Sequence, residues 1–179
     1  MRTFADLCTT MTLHHRRDAE VGSEYMIAGS NVAVWVFHRA ADAEATVSLH
    51  KFAHLWIHRD YDHDAWHILD VDVPVEAGAD FVVMPGRVGN TLESFTRKDE
   101  RAPAPPRLAE LQALIPKIVA AATEPADQWI AQLVERRIAN PDFNTVFVWA
   151  DQRFYIQDLA PSRTELDGWR ALPASQWKE

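Results

Sequence analysis

The sequence predicts an α+β fold: an antiparallel sheet from the N-terminal half, with two amphipathic helices and a C-terminal β-hairpin packing on it. Three patterns lead to this prediction. Before residue 85, β-branched and aromatic residues cluster in short runs, which is typical of strands. From 108 to 139, apolar residues recur every three or four positions, which indicates helices. Two further strand-like runs, 145–149 and 153–159, flank a short turn and indicate the hairpin.

The N-terminal half begins with a predicted helix over 3–18. Thr3 and Asp6 form a pair resembling a capping box, and Cys8 lies on the apolar face, where we expect it in the core. The segment 46–58 is compatible with a helix or a strand, and its aromatic residues favour a strand. Strands are also predicted at 24–28, 32–38, 65–73 and 81–84.

The length of 179 residues predicts a single domain over 1–179. Residues 1–96 would hold the first helix and the antiparallel sheet. A charged, proline-rich stretch at 97–106 opposes helix and sheet and is predicted to be a linker. Residues 107–179 would hold two helices, the hairpin and a tail that contains Trp169 and Trp177.

Composition narrows the possible partners and the compartment. The single cysteine cannot form an intrachain disulfide, which fits a reducing compartment, so we expect a cytoplasmic protein. No run approaches the roughly 18 apolar residues of a membrane helix, so we expect no membrane partner. The formal net charge is −8. Such an acidic field repels phosphates, so nucleic acid is excluded as a partner and a basic protein is favoured.

The acidic residues are densest between Asp60 and Asp80. Asp70 and Asp72 alternate with apolar residues, which predicts that both carboxylates point to solvent. A concentrated negative patch would speed encounter with a cationic protein. The predicted recognition surface consists of Asp60, Asp62, Asp64, Asp70 and Asp72.

All eight histidines lie between residues 14 and 67. His50, His54 and His58 are spaced by four, so they share one face of a helix or of a strand. Imidazole and carboxylate are ligands that Zn²⁺, Mn²⁺ or Fe²⁺ accept. On a strand, however, neighbours four apart lie about 13 Å from each other, too far to share one ion. No metal is therefore predicted, and four histidines remain as candidate ligands: His54, His58, His63 and His67.

Known catalytic patterns are missing from the sequence. No Gly-x-Ser-x-Gly elbow occurs, and the glycines at 86 and 89 are too closely spaced for a phosphate-binding P-loop. The aspartates at 60, 62 and 64 begin like an EF-hand loop, but the required glycine and final glutamate are missing. No catalytic residue and no cofactor are predicted.

The interpretation that follows is a non-enzymatic protein-binding domain with an acidic recognition surface. It would be a bacterial immunity or antitoxin-type inhibitor of a basic partner. Two alternatives stay open. One is a metal-dependent hydrolase or oxygenase that uses the histidines and aspartates between 50 and 67. The other is a small-ligand-binding α+β domain with a pocket between the sheet and the two C-terminal helices. The oligomeric state is not predicted.

Overall fold

A computed structural model describes residues 1–59, 65–96, 107–140 and 144–177. Within these ranges the chain is a mixed α+β structure, as the sequence predicts. The predicted linker at 97–106 lies outside the described residues. The elements in chain order are α1 (Phe4–Cys8), β1 (Leu13–Asp18), β2 (Gly22–Ile27), β3 (Ala33–Phe37), α2 (Ala40–Ile57), β4 (Leu69–Val71), β5 (Glu76–Ala77), β6 (Phe81–Met84), β7 (Asn90–Thr91), α3 (Leu92–Thr96), α4 (Leu108–Ala121), α5 (Pro125–Ala139), β8 (Thr145–Val148), β9 (Arg153–Ile156) and α6 (Arg163–Ala171).

The first sheet comes from the N-terminal half, and every strand pair in it is antiparallel. Its strand order is β1-β2-β3-β6-β5. The four residues of β6 are all buried, because β6 lies between two other strands and packs against apolar side chains. This sheet confirms the prediction of an antiparallel N-terminal sheet.

The second sheet has the order β4-β9-β8-β7, and its β4–β9 pair is parallel. The hairpin formed by β8 and β9 confirms the predicted C-terminal hairpin. Its turn places Gln152 at a φ of 54°, and the Gln152 side-chain amide donates a hydrogen bond of 2.7 Å to the Trp149 carbonyl. That bond helps to hold a residue other than glycine in the left-handed region.

The predicted helix over 3–18 is wrong beyond its first turns. The capping box of Thr3 and Asp6 is present, but α1 ends at Cys8 and residues 13–18 form β1. Charged and histidine residues follow Met11, so a longer helix would have had no apolar stripe to bury. As a strand, the segment lets Arg17 pair with the buried Glu24. Cys8 is exposed, which contradicts its predicted place in the core.

The segment 46–58 is helical, so the predicted strand is wrong. It belongs to α2, whose first six residues include four alanines, the strongest helix former. The helix already begins at Ala40. Leu49, Ala53, Trp56 and Ile57 are fully buried at helical spacing. The aromatic residues that favoured a strand therefore serve tertiary packing.

The C-terminal half contains the two predicted amphipathic helices as α4 and α5, and α4 continues through Pro116. In the tail, Trp169 on α6 is fully buried and its indole N–H donates a hydrogen bond of 2.9 Å to the Ser48 hydroxyl on α2. Across the described ranges, no helix combines the length and apolarity needed to cross a bilayer. The compartment stays a prediction.

Candidate metal centre

The site lies where α2 packs against β4, and both aspartates around β4 are buried there. The predicted solvent-facing orientation of Asp70 and Asp72 is therefore wrong. Alternation along a strand exposes one face only when nothing covers that face, and here α2 lies against β4. Each carboxylate is matched by cationic or histidine partners, which makes its burial tolerable.

Three side chains converge at this contact. His54 Nδ1 lies 2.8 Å from one oxygen of Asp70, and His58 Nε2 lies 3.0 Å from the other. The helix brings the two imidazoles together on adjacent turns, with ring centroids 4.4 Å apart. One ligand atom from each of the three residues can be chosen so that all lie within 4.8 Å of one another.

Two further donors orient the Asp70 carboxylate. The Val71 backbone N–H donates to one oxygen at 2.8 Å, and Arg153 Nη2 on β9 donates to the other at 3.0 Å. Burial raises the pKa of Asp70, but hydrogen bonds from His54 and His58 outweigh it, so the net pKa lies below its usual value. In turn, the hydrogen bond to Asp70 raises the pKa of His54 despite its partial burial. The carboxylate is therefore ionised and fixed in position.

His50 is not available as a ligand, although it shares the spacing of four. Its side chain is 1% exposed, and both ring nitrogens are occupied. Nδ1 donates to the Asp72 carbonyl at 2.6 Å, and Nε2 accepts from the Leu159 backbone N–H at 3.3 Å. Burial lowers the pKa of His50 to about 4, so the ring is neutral at physiological pH.

Asp72 belongs to a separate ion pair. Arg87 Nε donates to one of its oxygens at 3.0 Å, and the guanidinium lies 3.7 Å from the ring centre of Tyr155. Burial raises the pKa of Asp72, and the hydrogen bond from Arg87 opposes this shift. The loop that contains the glycines at 86 and 89 thus supplies a partner for a buried carboxylate.

The other predicted site residues do not join the cluster of His54, His58 and Asp70. Asp60, Asp62, Asp64 and His63 lie outside the described residues. His67 packs against Trp66, with ring centroids 3.4 Å apart, and is not part of the three-residue group. Sequence reasoning missed Asp70 as a member of this cluster and Arg153 as its partner. The apolar neighbours Leu69 and Val71 were the available signal that the strand is buried.

No family model matches the chain, and no curated protein sequence matches it. Among solved structures, one described as the streptomycin-ATP-APH(2")-IIa ternary complex is similar, with 8% sequence identity and a TM-score of 0.40. The match covers 89% of this chain and 71% of that one. A likeness at this level carries no argument about activity or ligands.

The prediction of a non-enzymatic protein-binding domain of the immunity or antitoxin type is corrected here. The molecule itself argues against the proposed surface. Asp70 and Asp72 are both buried and bonded within the protein, so neither can form an acidic recognition surface.

Proposed function

We propose that this protein binds one first-row transition metal ion, with Zn²⁺ as the reference ion, through His54, His58 and Asp70. The observation that carries the proposal is the convergence of two imidazole nitrogens and a carboxylate oxygen within 4.8 Å of one another. Nitrogen and oxygen ligands in this combination suit Zn²⁺, whose bonds to both are about 2.0–2.2 Å long.

The separations among these atoms are a few tenths of an ångström shorter than those around a shared ion. Two ligands of a tetrahedral ion with bonds of about 2.1 Å are separated by roughly 3.4 Å. The His54–Asp70 and His58–Asp70 separations are 2.8 and 3.0 Å, so rotations of the side chains would open room for the ion. The ion would take the place of the two ring protons that now face the carboxylate.

The surroundings also fit a metal ligand set. Val71 N–H and Arg153 hold the carboxylate from behind, which is how protein partners commonly orient a ligating side chain. The side chains of His54 and His58 are 36% and 35% exposed, so an ion can enter from solvent. With three protein ligands, one tetrahedral position would be left for water, the arrangement used by zinc ions that activate water.

The test is a Zn²⁺ titration of chelator-treated protein by calorimetry. We expect one ion per chain. Removal of a residue that only hydrogen-bonds to a zinc ligand weakens metal binding by roughly 10- to 100-fold. Because His54 and His58 are proposed as ligands themselves, His54→Gln or His58→Gln should weaken Zn²⁺ binding by at least that much. His14→Gln is the matched control, because His14 is an exposed histidine on β1.

The titration is paired with thermal unfolding so that a folding defect can be told from a lost ligand. The metal-free variants should unfold close to the metal-free wild type, whereas added Zn²⁺ should raise the unfolding temperature of the wild type and of His14→Gln only. Undiminished stoichiometric binding in both His54→Gln and His58→Gln would exclude this site.

A further inference from the structure

A cavity of about 740 Å³ lies along a stripe of α2 that does not include His50, His54 or His58. Its walls are one long stripe of α2, the segment 77–79 and the tail residues 175–177. This is not the pocket expected between the sheet and the two C-terminal helices. The volume falls in the range of about 300–1,000 Å³ that is usual for small-molecule sites.

The helix presents apolar side chains to this cavity where a surface helix would normally be polar. Val47, Phe52 and Leu55 line it from α2, and Trp177 lines it from the tail. Leu55 is an apolar residue in the last turn of α2, and 56% of it is exposed. An apolar stripe that none of the described segments covers is available to an apolar ligand.

Positively charged side chains outnumber negatively charged ones along this stripe of α2. Lys51 is exposed and forms no ion pair with any residue in the described part of the chain. Arg59 lines the same wall near the C-terminal end of α2, and Glu44 lines it nearer the N-terminal end. Helix rise places Glu44 about 10 Å from Lys51 along the axis. Of the two cationic side chains in the lining, Arg59 is already paired with Asp127 at 3.4 Å, which leaves Lys51 without an ion-pair partner among the described residues.

We propose that this cavity binds an elongated apolar molecule that ends in a carboxylate, a long-chain carboxylic acid being the simplest case. Its carboxylate would pair with Lys51, and its hydrocarbon would lie against Phe52, Leu55 and Trp177. Charge complementarity selects an anion, because Lys51 lines the cavity and has no ion-pair partner within the described residues. The apolar walls select the hydrocarbon. This site is independent of the metal proposal.

The probe is dodecanoate, kept below its micelle concentration and measured by calorimetry in the presence of a chelator. Dodecanol and dodecylammonium serve as the neutral and cationic comparisons. We expect one dodecanoate per chain and weaker binding of the other two. An exposed ion pair contributes at most about a fivefold change in affinity, so Lys51→Gln should weaken dodecanoate binding by up to about fivefold and leave dodecanol unchanged.

Two variants complete the test. Leu55→Glu places a carboxylate on the apolar wall, and because Leu55 is exposed the protein should still fold. This variant should no longer bind dodecanoate. Lys117→Gln, an exposed lysine on α4, is the matched control and should bind as the wild type does. Equal binding of dodecanoate and dodecylammonium, or wild-type binding by Leu55→Glu, would overturn the proposal. The chelator keeps either result separate from the test of the metal site.

Discussion

His50 and His54 lie four residues apart on α2 and face the same strand, yet their pKa values shift in opposite directions. His50 meets a backbone carbonyl and a backbone N–H, and burial lowers its pKa to about 4. His54 meets the ionised side chain of Asp70, and this hydrogen bond raises its pKa. The comparison teaches that the partner's charge and the access of water, not the position on the helix, decide the state of the imidazole.

The largest expected effect is a loss of stability in acid that comes from His50. Its folded pKa of about 4 lies below the unfolded value of 6.5, so the unfolded chain binds the proton more tightly. The stability is present above 6.5 and is lost as the pH falls towards 4. A shift of this size corresponds to about 3 kcal/mol in the free energy of unfolding.

Urea unfolding of the wild type and of His50→Gln at several pH values measures this effect. Other titrating groups are common to both proteins, so the difference between the two curves isolates His50. The wild type should lose about 3 kcal/mol more than the variant between the alkaline and the acidic end. Parallel curves would show that His50 is not buried in its neutral form.

The second prediction compares the two histidines near pH 8, where His50 is neutral. His50→Leu leaves the Leu159 N–H and the Asp72 carbonyl unpaired in the interior, which should cost about 2 kcal/mol. His54→Leu should cost less than about 1 kcal/mol, because its side chain is partly exposed and Asp70 keeps three other donors. Denaturant titration measures the free energy of unfolding of both variants. Equal losses in the two would contradict the expected difference between the buried and the partly exposed histidine.

Much of this fold could be predicted from periodicity alone. The antiparallel N-terminal sheet, α4, α5 and the hairpin follow from local patterns that tertiary packing does not oppose. The error at α2 arose because aromatic residues suit both a strand and the buried face of a helix. Its alanine-rich start, from Ala40 to Ala45, was the local signal that decides for a helix.

The candidate site could be predicted only in part. The spacing of His54 and His58 was visible, but it brings the two imidazoles together only on a helix, and the aromatic residues favoured a strand. Asp70 and Arg153 lie 83 residues apart in sequence and meet because β4 pairs with β9 in parallel. Local patterns contain no information about such a pairing. The alternation of aspartates with apolar residues along β4 therefore suggested a solvent-exposed face, although α2 covers that face.

The smallest expected effect lies at His54 and has the opposite sign to that of His50. A raised folded pKa means that His54 contributes stability that is fully present below about 6.5 and is lost as the pH rises through the folded pKa. Because the ring is partly exposed to solvent, this contribution should stay below about 1 kcal/mol. Unfolding experiments would barely resolve it, and a direct titration is the sharper measurement.

That titration follows the imidazole protons of metal-free protein by NMR, with the His54 signal assigned from its loss in His54→Gln. Asp70→Asn removes the charge that favours the imidazolium, so the pKa of His54 should fall back to or below the ordinary value of about 6.5. Glu110→Gln is the matched control, because it removes one exposed carboxylate from α4 without touching the cluster. An unchanged pKa of His54 in Asp70→Asn would show that the carboxylate does not set the charge of this ring. The contrast with His50 would then have to rest on burial alone.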